Sequence, residues 1–376
     1  MKTIYLDHAA TTPPDPAICA EMGQLFGTLY ANPSSLHGPG RTAKKTLEES
    51  RSTIAALLGA RAEDLIFTGG GTESLNLAIW GSIGESPARI ALSAVEHSAL
   101  FAAARFLEER LGWTVDVIPV DNLGRITPEN FENAIFENTR IVAVMMANNE
   151  VGTVNDISSL ANILKKKAPR SRFIVDAVQA FTKVPFSVAS LGADYVAITA
   201  HKLHGLKGIG ALWCGQTLHP TFEGGAQEGG VRGGTMCAAL AWGFAKACVA
   251  QVEGMHHIRT LRDQAWEGLS AHLPDLKLIG AGFDDGRLEN NLNFLIPGLP
   301  SEPLMNGLAA KGVCVSAGSA CAKNKFSKVL AAMGYEKNEG AFIRLSPGRF
   351  NTKDDIDEAI QAFVSVVTEL KEIYDV

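Results

Sequence analysis

The chain has 376 residues, of which 46% are hydrophobic and 20% charged, and its formal net charge is −6. That length is too great for one simple core and predicts two structural units, since domains usually run to roughly 100–200 residues. The acidic balance argues against nucleic acid or an anionic membrane as a partner, and no apolar run reaches the roughly 18–20 residues of a membrane-spanning helix.

The opening stretch MKTIYLDHAATTPP is interrupted early by Asp7 and does not read as a signal peptide, so a cytoplasmic location is expected. From Thr42, the apolar residues Ala43, Leu47, Ile54 and Leu58 fall close to helical spacing. Leu65–Phe67 is of strand type and runs into Gly69-Gly70-Gly71. Ile90–Leu92 is a second such run, followed by a helical pattern over Ser98–Leu111. Val115–Val120, Ile141–Met146, Phe173–Val175 and Tyr195–Ile198 continue the strand-length runs, with a helix over Ile157–Lys167. Strands alternating with helices predict an α/β fold with a mostly parallel central sheet flanked by helices.

The pattern changes near residue 255. A helix over Leu261–Leu273 stops before Pro274. A strand at Leu292–Ile296, a helix over Leu304–Lys311 and strands at Val313–Val315 and Phe342–Leu345 follow. Thr352-Lys353-Asp354-Asp355 offers a capping-box start to a last helix, with Ile356, Ile360, Phe363, Val367 and Leu370 on one face. These patterns divide the chain into a large domain over residues 14–255 and a smaller α+β domain made of residues 1–13 and 256–376.

The chemistry-bearing residues stand mostly where apolar runs end, which is where open α/β sheets bind ligands. Asp176 and Gln179 follow Phe173-Ile174-Val175, and Thr199-Ala200-His201-Lys202 follows Tyr195–Ile198. A lysine there can form a Schiff base with pyridoxal 5'-phosphate, and that cofactor also needs a carboxylate against its ring nitrogen, for which Asp176 is the candidate. Alone, Asp176 reads as a helix cap and Lys202 as a surface lysine; the pair at two strand ends favours the cofactor. Gly69-Gly70-Gly71-Thr72 opens a helix, whose N-terminal amides bind phosphate readily, although such turns are common. His97 closes another apolar run and offers a ring for stacking.

The six cysteines are scattered without a Cys-x-x-Cys pair, which suggests free thiols. Cys321 lies among small residues with Lys323 and Lys325 after it, a setting that favours the nucleophilic thiolate, whereas Cys314, between Val313 and Val315, reads as an inert buried thiol. Cys19, Cys214, Cys237 and Cys248 stand in apolar or helical contexts. Arg344, inside an apolar strand, needs a partner: a structural carboxylate or a substrate carboxylate. His201-x-x-His204 has no matching carboxylate or cysteine ligands, so no metal is expected.

Taken together, Tyr5–Pro13, Asn32–Ser35, Phe67–Asn76, Glu96-His97, Asn148–Gly152, Asp176–Gln179, His201-Lys202, Arg232–Thr235, Gly318–Cys321 and Arg344–Ser346 resemble, in order, the NifS/IscS-type cysteine desulfurases of the fold-type I, aminotransferase class V group. The resemblance implies a pyridoxal-phosphate enzyme that converts L-cysteine to L-alanine. It implies that Lys202 holds the cofactor, Asp176 meets its ring nitrogen, Gln179 its ring oxygen and His97 its face. Gly71, Thr72, Thr199 and His201 would hold the phosphate, and Asn149 would lie near the cofactor. Thr235 would reach the phosphate of a neighbouring subunit, implying a homodimer. Asn32 and Arg344 would bind the substrate carboxylate, and Cys321 would take the sulfur as a persulfide for an acceptor protein such as an Fe–S scaffold or a tRNA-thiolation factor. Ala200, Leu206, Gly69–Gly71, Gly229, Ala317 and Ala322-Lys323 depart from the family pattern without removing any of these groups. A selenocysteine lyase, another pyridoxal-phosphate lyase or aminotransferase on the same fold, and a non-catalytic sulfur-transfer scaffold are the alternatives.

Overall fold

The computed structural model describes residues 2–220, 224–317 and 326–375, so Cys321 lies outside the described residues. In chain order the strands are β1 (Ile4–Tyr5), β2 (Leu65–Thr68), β3 (Arg89–Ser93), β4 (Thr114–Ile118), β5 (Thr139–Met145), β6 (Arg172–Asp176), β7 (Tyr195–Thr199), β8 (Gly210–Cys214), β9 (Lys277–Leu278), β10 (Leu292–Pro297), β11 (Val313–Cys314) and β12 (Gly340–Leu345). The helices are α1 (Pro16–Thr28), α2 (Gly38–Leu58), α3 (Gly71–Trp80), α4 (Ser98–Leu111), α5 (Pro128–Ala134), α6 (Ile157–Lys167), α7 (Val188–Leu191), α8 (Ala238–His272), α9 (Ser301–Ala310), α10 (Lys328–Ala332) and α11 (Lys353–Tyr374).

Seven strands form the central sheet in the order β2-β8-β7-β6-β5-β3-β4. Strands β4, β3, β5, β6 and β7 are parallel neighbours, while β8 runs antiparallel to both β7 and β2. Two reversals bring β2 back to the direction of β7, so the C-terminal ends of every strand but β8 share one edge. The inner strands β5, β6 and β7 are apolar and buried on both faces, as a helix-covered parallel sheet requires. On α2, Ala43, Leu47, Ile54 and Leu58 are buried and Gly59 ends the helix at φ 65.

A smaller antiparallel sheet has the order β12-β10-β9, and β1 pairs in parallel with β11, Ile4 opposite Val313. Ile4 and Leu6 pack in one apolar cluster with Leu261, Phe294, Leu304, Ile343 and Phe363. Helix α11 starts with the capping box, the Thr352 hydroxyl accepting from the Asp355 N–H and the Asp355 carboxylate from the Thr352 N–H.

Helix α8 differs most from the sequence reading. It runs unbroken for 35 residues, and the change of pattern at residue 255 falls inside it. The sequence marks only its C-terminal end as helix because α8 packs against α1, α2 and α11, so its apolar residues surround the axis instead of forming one stripe. Among the described residues, no helix is long and apolar enough to cross a membrane.

Candidate active site

The shared edge of the central sheet gathers most of the residues singled out from the sequence. Asp176 is the last residue of β6 and Thr199 the last of β7, its paired neighbour. A single turn of 3-10 helix over Ala200–Lys202 then carries the lysine. His97 follows β3, Asn149 follows β5, and the turn Gly69–Gly71 follows β2.

The N-terminal segment lies over the lysine. Lys202 Nζ donates to Ala9 O at 2.8 Å and to Ala10 O at 2.5 Å, and Gln179 Nε2 donates to the same Ala9 O at 2.8 Å. The Thr12 N–H and hydroxyl both donate to His201 O, at 2.9 and 3.0 Å, and Thr11 Oγ1 lies 3.1 Å from His201 Nδ1. Burial and the adjacent Lys202 push His201 down to about 4, so its ring is neutral near pH 7.

Asp176 is buried, and its carboxylate accepts the Val178 N–H at 2.9 Å. Burial pushes this carboxyl up, while that bond and the nearby His97 and Lys202 charges pull it back down. His97 is exposed and caps α4, its Nδ1 accepting the Ala99 N–H at 3.2 Å. Beneath it, Glu96 accepts the Met145 N–H at 2.7 Å and bonds the Ser93 hydroxyl. Burial pushes Glu96 up to about 8, so it holds its proton at neutral pH.

Helix α3 begins at Gly70, which has φ 151 and gives no side-chain cap, so its first amides face the turn unblocked. A Cβ on Gly71 would come within 2.7 Å of Val178 Cγ2, and one on Gly70 within 3.9 Å of Thr199 Oγ1. The glycine turn therefore faces both the Asp176–Gln179 segment and Thr199, whose hydroxyl donates to Ile209 O at 3.2 Å. Thr72, in the first turn of α3, is exposed.

Arg344 is buried on β12. Its Nη2 pairs with Asp7 Oδ1 at 2.5 Å and its Nη1 donates to Asn149 O at 2.9 Å, while Nε is buried with no hydrogen-bond partner among the described residues. The structural carboxylate that the sequence left open is thus Asp7, and one donor of the fork is still unused. Both flanks of the Cys321 segment attach here: Ser316 exchanges backbone bonds with Arg344 at 3.1 and 2.7 Å, and the Ser327 hydroxyl donates to Glu150 Oε2 at 2.5 Å.

Two residues stand apart from this cluster. Asn32 is exposed, its Oδ1 accepts the Ser34 N–H, and it lines a groove of about 1060 Å³ with Arg51, Leu65, Cys214 and Glu228, at the opposite end of β2 from the glycine turn. Thr235 is exposed too, on a segment tied down by Arg232 Nε to Glu73 Oε1 at 2.8 Å and by Glu228 to Arg51 at 2.7 Å. Among the other thiols, burial pushes Cys214 up to about 12 and Cys248 upward. Cys314, read as buried, is partly exposed, because the two-residue strand β11 turns it away from the side that buries Val313 and Val315.

Sequence reasoning assigned no functional role to His8, Glu96, Lys183 or His204. His8 and His204 are both buried, their ring centroids 5.2 Å apart. His204 Nε2 accepts the Arg349 N–H at 3.2 Å, and Nδ1 lies 2.8 Å from Pro13 O, which makes this ring a neutral tautomer. Burial pushes His8 down to about 3 and His204 to about 4. An unfolded histidine titrates near 6.5. The unfolded chain therefore binds more protons between these values, so the stability held by the neutral pair is complete above about pH 6.5 and declines as pH falls towards 4. Thermal melts between pH 7 and 4.5 should show this decline, and it should be shallower in His204→Gln. An equal slope in the variant would rule the pair out as its source.

The residues present fit pyridoxal phosphate. A buried carboxylate with one backbone bond can still accept from a ring N–H, an uncapped glycine-lined helix start can take a phosphate, and a lysine follows the end of the neighbouring strand β7 on a 3-10 turn.

The aminotransferase class-V family profile matches residues 4–359. A protein of Dictyoglomus turgidum named cysteine desulfurase IscS is 35% identical, the alignment covering 99% of this chain and 96% of that protein. The structure of a NifS-like protein superposes with a TM-score of 0.90 at 31% identity, covering 98% of this chain and 100% of that one. A structure titled SspA in complex with cysteine matches with a TM-score of 0.79 at 28% identity, covering 93% and 99%.

Proposed function

The chain belongs to the aminotransferase class-V family and is a pyridoxal-phosphate-dependent enzyme that desulfurates L-cysteine, and from this premise we propose the following roles for its residues. Lys202 holds the cofactor, Asp176 faces its ring nitrogen, Gln179 its ring oxygen and His97 its face. Gly71, Thr72, Thr199 and His201 hold its phosphate, with Asn149 beside it. When bound, pyridoxal phosphate supplies an electron sink for the pair left at the substrate α-carbon.

The chain's own groups do the rest. The buried fork of Arg344, with its unused Nε donor, binds the substrate carboxylate beside Asp7. The Lys202 amine takes the α-proton, and His97 assists proton movement from the exposed rim. The Cys321 thiolate attacks the substrate sulfur. The new S–S bond forms as the Cβ–S bond breaks, and the pair from that bond stays on Cβ, which takes up a proton; the proton held by Lys202 returns to the α-carbon, giving alanine. An acceptor protein, such as an Fe–S scaffold, then receives the sulfur from Cys321. Thr235, exposed on its anchored segment, reaches the cofactor phosphate of a second copy in a homodimer, and Asn32 serves the substrate carboxylate.

The observation that carries this reading is the placement of Lys202 and Asp176 at the ends of paired strands β7 and β6, facing an uncapped glycine turn. It is tested by supplying L-cysteine and a reductant and measuring products. Alanine and sulfide in equal amounts are expected. Pyruvate and ammonia in place of alanine would assign an eliminating lyase instead.

A further inference from the structure

A second buried lysine stands next to the site, and the chemistry above does not use it. Lys183 is 6% exposed, and its Nζ lies 3.4 Å from Gln179 Oε1. Gln179 donates its Nε2 to Ala9 O at 2.8 Å, and that carbonyl also receives Lys202 Nζ at 2.8 Å. A chain of hydrogen bonds thus runs from Lys183 through Gln179 to Ala9, where it meets Lys202.

The backbone is bent to allow this. Thr182, immediately before Lys183, has φ 62, a region that a β-branched residue enters only at a cost in strain. Lys183 N donates to Ala180 O at 2.9 Å, closing the turn that carries the side chain inward. Burying an amine without a counter-ion is also costly. The charged and titratable groups around it are Lys202, His8, His201 and His204, all of them bases, and no carboxylate pairs with it among the described residues. Burial and Lys202 hold Lys183 down to about 7. A methionine of similar length would avoid the cost of burying an amine, which directs attention to what the amine touches.

It touches the carboxamide oxygen of Gln179. Lysine nitrogen reaches that oxygen as a donor, and Ala9 O can only accept, so the two contacts agree on one orientation of the amide. We propose that Lys183 is a positioning residue, which locks the Gln179 carboxamide with its NH2 turned towards Lys202, so that Gln179 meets the cofactor's ring oxygen as a hydrogen-bond donor. This rests on the reading that the cofactor is held by Lys202 with Gln179 at its ring oxygen. A locked donor stabilises the ionised ring oxygen and makes the proton between that oxygen and the lysine nitrogen easier to lose.

The test is an absorbance titration of the bound cofactor in the holoenzyme, comparing wild type, Lys183→Met, Gln179→Ala and the double variant. Lys183→Met should raise the midpoint by about half a unit to one unit, the size of one ordinary net hydrogen bond. In the Gln179→Ala background the same substitution should add little further shift, because the two act in series. Should Lys183→Met not yield folded holoenzyme, Lys183→Gln, too short to reach Oε1, carries the same expectations. An unchanged midpoint in a folded variant, or the full shift persisting without Gln179, would overturn the proposal and leave Lys183 a packing residue. A wild type that binds no chromophore would instead defeat the underlying assignment, and this inference with it.

Discussion

Replacing Lys202 with alanine is expected to reduce alanine formation from L-cysteine by about 10³-fold or more, since it removes the amine proposed both to hold the cofactor and to move the α-proton. The fold should survive the change. The Lys202 side chain is only partly buried, and the bonds given up include those from Nζ to Ala9 O and Ala10 O. The N-terminal segment keeps its other attachments: Thr12 to His201 O, Asp15 N to His204 O, and Ala9 N to the Ser346 hydroxyl at 2.9 Å. A variant that melts near the wild-type temperature, has lost the bound chromophore and makes no alanine fits this account. A variant within tenfold of wild type would show that another amine does the work, with Lys183 the first to examine.

Asp176→Asn should lower turnover by about 10²–10³-fold at saturating cofactor, the range seen when one preorganised electrostatic group is removed from a catalytic site. Asp176 is buried at a strand end, where burial disfavours its ionised form; His97 and Lys202 offset part of that cost, and the protonated ring nitrogen of a cofactor held as proposed would offset more. Asparagine keeps the shape and can still accept the Val178 N–H, so packing should change little. Turnover measured against cofactor concentration separates weak binding from weak chemistry. Full rescue by excess cofactor would mean that Asp176 serves binding alone.

Much of this arrangement can be read from the sequence because a parallel sheet buried on both faces needs continuous apolar runs, and a polar residue ending such a run stands out. Asp176 after Phe173-Ile174-Val175 and Thr199–Lys202 after Tyr195–Ile198 are of this kind, and so is His97 after β3. Other features leave no local trace. The reversed direction of β8 is a property of pairing and not of composition, and the N-terminal half of α8 is apolar on several sides. The pairing of Arg344 with Asp7 joins residues 337 apart in the chain. Lys183, between Thr182 and Val184, carries no local signal of burial, and the positive φ of Thr182 before it is a property of the folded backbone. The roles given to Asn32 and Thr235 came from family resemblance, and both lie apart from the Lys202 cluster, on the groove and on the anchored segment that a second copy would have to cover.

The central claim is that sulfur leaves L-cysteine for Cys321. The most direct measurement is the mass of the Cys321 peptide after a single turnover with L-cysteine and no reductant, followed by alkylation. The account predicts that this peptide gains one sulfur atom, in proportion to the alanine formed, and that Cys321→Ala forms neither while keeping its chromophore. Alanine production with an unmodified Cys321 peptide would contradict it.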